Sequence, residues 1–308
     1  MKKIVYSLLL FSIACAQPES KKVETVEPKE KRLQIVATTN ILGDMVSNIV
    51  KDKADLKVLM GAGVDPHLYK ATQNDIQNLM NADIIIYNGL HLEGKMGEIF
   101  EKVRGSKKVI AAADGLDSSL LITSNQFQGA QDPHIWFDAT LWSTACEYVT
   151  KQIAAEDSIN AEKITNQGLS YANNLLAIDT WIKNKISELP EQKRILITAH
   201  DAFGYFGKAY NVEVKGLQGI STLSEYGLRD VTNMVDFIMK NKVKAVFVET
   251  SVNQKSMEAV IEGCKEKGYD LKIGANLYSD AMGDKGTPGG TYLGMVKYNV
   301  TSIVNALK

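Results

Sequence analysis

The stretch DSINAEKITNQGLSYANNLLAIDTWIKNKISEL, Asp157–Leu189, decides the fold because it divides the chain into two halves of similar pattern. It contains one glycine, Gly168, and no proline before Pro190. Ser158 or Asp157 can cap the start of a helix here, and Pro190 stops it. At 1.5 Å per residue the helix would be a rod of about 45–50 Å. The apolar residues follow a helical period of 3.6, and they are Ile164, Tyr171, Leu175, Ile178, Ile182, Ile186 and Leu189. We therefore predict one stiff linking helix over residues 157–189; the alternative is two ordinary helices of one lobe.

Apolar runs of strand length lie on both sides of this segment. They are continuous rather than alternating, which is typical of parallel strands covered on both faces. Segments of helical period separate them, and this alternation predicts right-handed crossover units. The runs are 33–37, 56–60, 84–87 and 108–111 before the segment, and 195–198, 213–217, 245–249 and 272–275 after it. We predict an α/β fold of two similar lobes, residues 33–156 and 190–308, each a parallel sheet covered by helices and joined by one long α-helix.

The first residues have the pattern of a secretory signal. Two lysines precede the apolar run of residues 4–14, which is shorter than the ~20 residues that a membrane-spanning helix needs. Residues 12–15, Ser-Ile-Ala-Cys, resemble a bacterial lipobox in which Cys15 would carry the lipid, although serine stands where an aliphatic residue is usual. Ordinary cleavage at Ala-Cys-Ala is the alternative.

A polar stretch after Cys15 favours the lipoprotein interpretation. It is rich in Glu, Lys and Pro, with two valines as its main apolar residues, so it cannot bury enough surface to fold. We predict a signal peptide with a lipobox over residues 1–15 and a disordered tether over 16–32. The protein would then be exported and lipid-anchored to the bacterial cell membrane, facing the periplasm or the extracellular side.

The overall charge and the remaining cysteines exclude several classes of function. The net charge is −1 and the basic residues are scattered, which argues against nucleic acid as a partner. Cys146 and Cys264 lie in different predicted lobes, and no Cys-x-x-Cys pair suggests zinc or redox chemistry. We expect both to be small buried core residues.

Three of the four histidines occupy the same kind of position. His67 stands in Val-Asp-Pro-His-Leu-Tyr, His134 in Gln-Asp-Pro-His-Ile-Trp and His200 in Ile-Thr-Ala-His-Asp, each at the end of a predicted strand or turn. Asp280 also follows a predicted strand, and ligands bind at the carboxyl ends of strands in open α/β sheets. Three imidazoles and one carboxylate suit Zn²⁺ and accept Mn²⁺. Alone, Asp-Pro is a common turn and Asp280 could cap a helix, and His91 lacks the Asp-Pro signature.

A carboxylate behind the ligands is expected, because metal-bound imidazoles usually donate their second N–H to a carboxylate or a carbonyl. Glu249 is the favoured candidate, since it ends a buried strand where an unpaired carboxylate would be costly. Asp65, Asp132, Asp138 and Asp201 are equally well explained as turn or helix caps.

Six stretches give the chain a specific resemblance to a known family. It resembles the metal-binding receptors of the cluster A-I ABC transporters, the TroA-like family for zinc and manganese. The match runs from about residue 33 to the C-terminus and keeps the family's order. The stretches are residues 65–72, 82–93, 132–138, 198–206, 214–222 and 277–283.

The resemblance implies a fold, a site and a function. It implies two α/β lobes joined by a long helix, with one Zn²⁺ or Mn²⁺ ion bound between them as transported ligand by His67, His134, His200 and Asp280. It further implies a monomeric solute-binding lipoprotein, not an enzyme, that delivers the ion to a membrane permease.

Two departures from the family pattern leave the metal open. Zinc-dedicated members often have a histidine-rich loop, whereas residues 116–131 contain no histidine. Many manganese-dedicated members have Glu where this chain has His200. The alternative functions are a metal-stabilised adhesin and a secreted metallohydrolase, although the chain has no His-Glu-x-x-His motif.

Overall fold

A first parallel sheet is formed by the chain before the linking segment. This computed structural model describes residues 32–123 and 129–308, so the predicted signal peptide, Cys15 and the tether up to residue 31 lie outside the described residues. The strand order is β2-β1-β3-β4, and all pairs are parallel. The strands are β1 (Leu33–Ala37), β2 (Ala54–Val58), β3 (Ile84–Tyr87) and β4 (Lys108–Ala111), and the helices are α1 (Asn40–Val50), α2 (Gln73–Asn81), α3 (Gly97–Arg104) and α4 (Ala139–Glu156).

A second sheet repeats this topology after the linking helix α5 (Ala161–Ile186). Its order is β6-β5-β7-β8, again all parallel, so each sheet is wound in the same way from its first strand. The strands are β5 (Ile195–His200), β6 (Glu213–Gln218), β7 (Ala245–Glu249) and β8 (Lys272–Leu277), and the helices are α6 (Gly204–Tyr210), α7 (Leu228–Asn241), α8 (Lys255–Glu266) and α9 (Tyr292–Leu307). The predicted fold class of two helix-covered parallel sheets is confirmed.

The eight strands lie close to their predicted positions, and β2 shows the largest shift at its start. It begins at Ala54 rather than residue 56, because Ala54 pairs with Leu33 at the start of β1. Leu59 and Met60 lie just beyond β2, although their N–H groups still bond to carbonyls at the end of β1. The apolar run therefore continues past the point where the strand ends.

The linking helix is shorter than the predicted 157–189. The side chain of Asp157 accepts the backbone N–H of Asn160 at 3.1 Å and so forms a turn between α4 and α5. The 26 residues of α5 give a length of about 39 Å. Its apolar face is buried as the sequence predicts, and it packs against α4, against α1 of the first half and against α9 of the second.

The main hydrophobic core is continuous across the linking helix. It contains Ile35 of β1 and Ile41 of α1, Ile178 of α5, and Val300 and Ile303 of α9. Two smaller clusters lie within the separate halves. Cys146 and Cys264 are buried free thiols, as predicted, and each belongs to a cluster of buried apolar side chains. Over the described ranges, no helix has the length and apolar character of a membrane span.

Candidate metal centre

Four side chains far apart in the sequence meet at the carboxyl ends of the strands. His67 lies in the loop after β2. His134 lies in the long segment between β4 and α4, immediately before a short 3-10 turn. His200 is the last residue of β5, and Asp280 lies in the loop after β8. One potential ligand atom from each of the four residues lies within 4.8 Å of all the others. Within the described parts of the chain, this is the one such group of three or more His, Cys, Asp or Glu side chains.

The spacing of these atoms fits a single small cation. Nε2 of His134 lies 3.3 Å from Nε2 of His67 and 3.2 Å from Nε2 of His200. The oxygens of Asp280 lie 3.4 Å from Nε2 of His134 and 3.5 Å from Nε2 of His200. Donors at ~2.0–2.1 Å from a tetrahedral Zn²⁺ are about 3.3–3.4 Å apart by geometry. These four distances are therefore close to the separation of neighbouring donors in a tetrahedral zinc site.

Burial makes a cation in this position favourable. His67, His134, His200 and Asp280 expose 3%, 0%, 0% and 1% of their surfaces. Neither carboxylate oxygen of Asp280 has a hydrogen-bond partner. A buried carboxylate without such partners is strongly unfavourable unless positive charge lies beside it. The site thus has the electrostatic character of a cation cage.

The pKa values of the four groups differ because their neighbours differ. Burial is the main cause that lowers the pKa of His67 and of His200 to about 4, although Asp280 acts in the opposite direction. Burial also acts to lower the pKa of His134, but Asp132 and Asp280 outweigh it and raise that pKa to about 10. Burial would raise the pKa of Asp280, yet His200 and His134 hold it well below its usual range. In the metal-free site the positive charge beside Asp280 is therefore a proton on His134, and this proton has to leave before His134 can bind a metal ion.

The repeated Asp-Pro-His motif forms the same local turn twice. Oδ1 of Asp65 accepts the backbone N–H of His67 at 2.8 Å, and Oδ1 of Asp132 accepts that of His134 at 2.9 Å. An aspartate that bonds the backbone two residues on is the usual Asx turn. The second oxygen of Asp65 accepts a hydrogen bond from Thr222 of the second half at 2.7 Å. The turn thereby fixes the direction of each histidine.

Asp132 was one of the carboxylates that the sequence explained equally well as a turn cap, and in the structure it both caps the turn and contacts the ring of His134. Its Oδ1 lies 2.7 Å from Nδ1 of His134, so it orients the ring as well as the backbone. The hydroxyl of Tyr205 donates to the backbone carbonyl of Asp132 at 3.0 Å. A Cβ at position 204 would lie 2.7 Å from Oδ2 of Asp132, which explains why Gly204 follows Ala-Phe here. The spacing Asp-x-His was the sequence signal, shared with Asp65.

Glu249 lies behind His200, but it contacts the backbone rather than the ring. Its two oxygens accept the N–H groups of His200 at 3.0 Å and Ala199 at 3.2 Å. The Nδ1 atom of His200 faces the carbonyl oxygen of Gly219 at 2.9 Å instead. Burial raises the pKa of Glu249 to about 8. Glu249 therefore holds the backbone at His200, while the ring of His200 faces a backbone carbonyl and not the carboxylate that the sequence favoured.

The remaining histidine lies outside this cluster. His91 is exposed and adopts a left-handed backbone with φ of 63°. It follows Gly89 and Leu90, which also have positive φ. This tight turn places Glu93 where it accepts hydrogen bonds from Asn88 N–H and the Thr38 hydroxyl.

Comparison with known proteins gives a consistent family. Residues 35–306 match the family model described as zinc-uptake complex component A, periplasmic. The manganese-binding lipoprotein MntA of Bacillus subtilis is 46% identical over 91% of each chain. The zinc-binding protein TroA of Treponema pallidum is 44% identical over 89% of this chain and 88% of its own. The solved structure of the TroA protein superimposes with a TM-score of 0.87, at 43% identity over 90% of this chain and 99% of that chain.

Proposed function

This chain belongs to the family of periplasmic zinc-uptake components, and from that membership we propose that it captures Zn²⁺ or Mn²⁺ outside the cytoplasm and delivers the ion to an ABC transporter permease. His67, His134, His200 and Asp280 are the ligands in this proposal. The observation that carries it is the buried carboxylate of Asp280, which has no hydrogen-bond partner and is surrounded by three imidazoles. The ion is cargo, so the site binds and releases it without a chemical step.

The donor set favours zinc over manganese in affinity. Imidazole suits zinc, whereas manganese prefers oxygen ligands, and divalent ions follow a general order in which Mn²⁺ binds most weakly. The names of the relatives include both metals, so they leave the transported ion open. We propose one ion per chain, bound between lobes of residues 33–156 and 190–308 that α5 joins.

Export and a lipid anchor complete the proposal. Relatives are named as lipoproteins, including the manganese transporter lipoprotein PsaA of Streptococcus pneumoniae. Cys15 is the residue that would carry the lipid. Labelling with palmitate in cells should mark the wild type and not Cys15→Ala, and an unlabelled wild type would contradict the anchor.

The test of the ligand set uses the fourth histidine as its matched control. We expect one metal per chain by elemental analysis in the wild type and in His91→Ala, because His91 is exposed and outside the cluster. Asp280→Ala and His200→Ala should lose the metal, since each removes one donor of four. Retention of metal in both would contradict the site, and loss in His91→Ala would place the ion elsewhere.

A further inference from the structure

The segment that contains Asp280 is held on both sides by asparagine side chains. Asn299 accepts the backbone N–H of Tyr278 at 3.0 Å and donates to the carbonyl oxygen of the same residue at 2.7 Å. Asn40 does the same for Met282, with distances of 3.0 and 3.2 Å. The two contacts are placed symmetrically, two residues before Asp280 and two residues after it.

An asparagine used in this way fixes both the position and the orientation of a peptide. Its amide offers one acceptor and a donor side by side, so it pairs with a backbone N–H and C=O as a neighbouring strand would. A single hydrogen bond would leave the segment free to rotate. We call these two pairs of hydrogen bonds the clamps at Tyr278 and at Met282. Between them, the indole N–H of Trp136 donates to the carbonyl oxygen of Ser279 at 3.0 Å. The backbone around Asp280 is therefore held at three successive points.

These contacts matter because the carboxylate of Asp280 has no hydrogen bonds of its own. One oxygen lies near His134 and the other near His200, at 3.4 and 3.5 Å. Without a donor on either oxygen, the direction of the carboxylate depends on its backbone. The clamped backbone is what aims Asp280 at the imidazoles.

The two asparagines come from different halves of the molecule. Asn299 belongs to α9, which packs against β8 of the same half, and exposes 3% of its surface. Asn40 is the first residue of α1, at the carboxyl end of β1 in the first half. The clamp at Met282 therefore joins the two halves, whereas the clamp at Tyr278 lies within one half.

We propose that Asn40 and Asn299 are positioning residues for the metal site: Asn40, from the first half, holds the backbone after Asp280, and Asn299, from the second half, holds the backbone before it. The inference rests on the proposed function of the site. Breaking the Asn40 clamp releases one flank of Asp280, so the bound ion leaves faster. Asn299 still holds the other flank, because its hydrogen bonds to Tyr278 lie within the second half.

The test compares Asn40→Ala with Asn48→Ala. Asn48 lies in the same helix and donates to the Asp44 carbonyl oxygen, away from the site. The rate of Zn²⁺ release into an excess of a fluorescent chelator should rise about tenfold in Asn40→Ala, as expected for the loss of two neutral hydrogen bonds. It should stay at the wild-type rate in Asn48→Ala. The unfolding temperature of the metal-free protein should be similar in the two variants.

Asn40→Ser provides the same test if Asn40→Ala does not fold, because serine is polar yet lacks the amide that pairs with Met282, and Thr39 still caps α1. The absorption bands of bound Co²⁺ give an independent signature, since they respond to the ligand geometry. We expect them to change in the Asn40 variants and not in Asn48→Ala. Release at the wild-type rate with an unchanged spectrum would overturn the inference, as would a loss of stability in the metal-free protein without faster release. A wild type that binds no metal would instead refute the proposed function.

Discussion

The two halves of this molecule share one strand order, yet they place their proposed histidine ligands differently. In the first half, His67 and His134 lie on loops beyond the strands. In the second half, His200 is part of β5 itself and pairs with Gln218 of β6. A loop histidine must be oriented by nearby side chains, whereas a strand histidine is already held by the sheet. In the first half, the aspartates of the two Asp-Pro-His turns hold the histidine backbone. In the second half, Glu249 holds the backbone of His200 at the end of β5.

Asp132→Ala should have the largest effect in this comparison. It removes the hydrogen bond to Nδ1 of His134 and the turn that precedes it, and loss of such a partner typically lowers metal affinity by about 10–100-fold. Competitive titration against a chelator measures it. Asp138→Ala is the matched control, because Asp138 caps α4 and should lower stability by about 1 kcal/mol without changing affinity. Equal losses of affinity in both variants would contradict the role of Asp132.

Glu249→Gln should have a smaller effect on affinity, of less than about tenfold. The ring of His200 remains bonded to Gly219 and its backbone remains in the sheet. Both oxygens of Glu249 accept backbone N–H groups, and glutamine would place an NH₂ donor against one of them. The free energy of unfolding should therefore fall by about 1–3 kcal/mol. Chemical denaturation of the metal-free protein and the same titration measure the two effects. If affinity falls as far as in Asp132→Ala, the distinction between loop and strand ligands is wrong.

Glu93→Gln should change only the pH dependence of stability. Burial raises the pKa of Glu93, although the N–H of Asn88 and the hydroxyl of Thr38 act to lower it. A raised carboxyl pKa means that the folded protein binds this proton more tightly than the unfolded chain. Its contribution is full below the unfolded value of about 4.3 and is lost as pH rises through the folded pKa.

The free energy of unfolding of metal-free Glu93→Gln should therefore depend less on pH above about 4.3 than that of the wild type. Denaturation curves at several pH values measure this slope. Equal slopes in the two proteins would show that Glu93 keeps an ordinary pKa.

The sequence predicted most strands and helices, and it predicted that His67, His134, His200 and Asp280 would lie together. Continuous apolar runs such as Val-Phe-Val in β7 identify buried parallel strands, and strand ends in such a sheet lie at one edge. The histidines could therefore be placed on that edge from their positions alone. The start of α5 was missed because the turn before it depends on two hydrogen bonds between the side chain of Asp157 and Asn160.

Other contacts have no signal in a single sequence. The partner of the His200 ring is the backbone carbonyl of Gly219. Every residue has such a carbonyl, so the sequence does not identify the partner. The contacts of Glu249 depend on how the end of β7 lies beside the end of β5. A pattern of residue types along the chain does not contain this information. Asn40 and Met282 are 242 positions apart in the sequence, and neither residue type indicates that they pair.

The core shared through α5 also has a thermodynamic consequence. Since Ile35, Ile178 and Val300 belong to one apolar cluster, neither half can be separated without exposing that surface to water. The protein should melt in a single calorimetric transition, and a fragment cut at residue 156 or 190 should fail to fold alone. A destabilising substitution in either half should then lower the unfolding temperature of the whole protein.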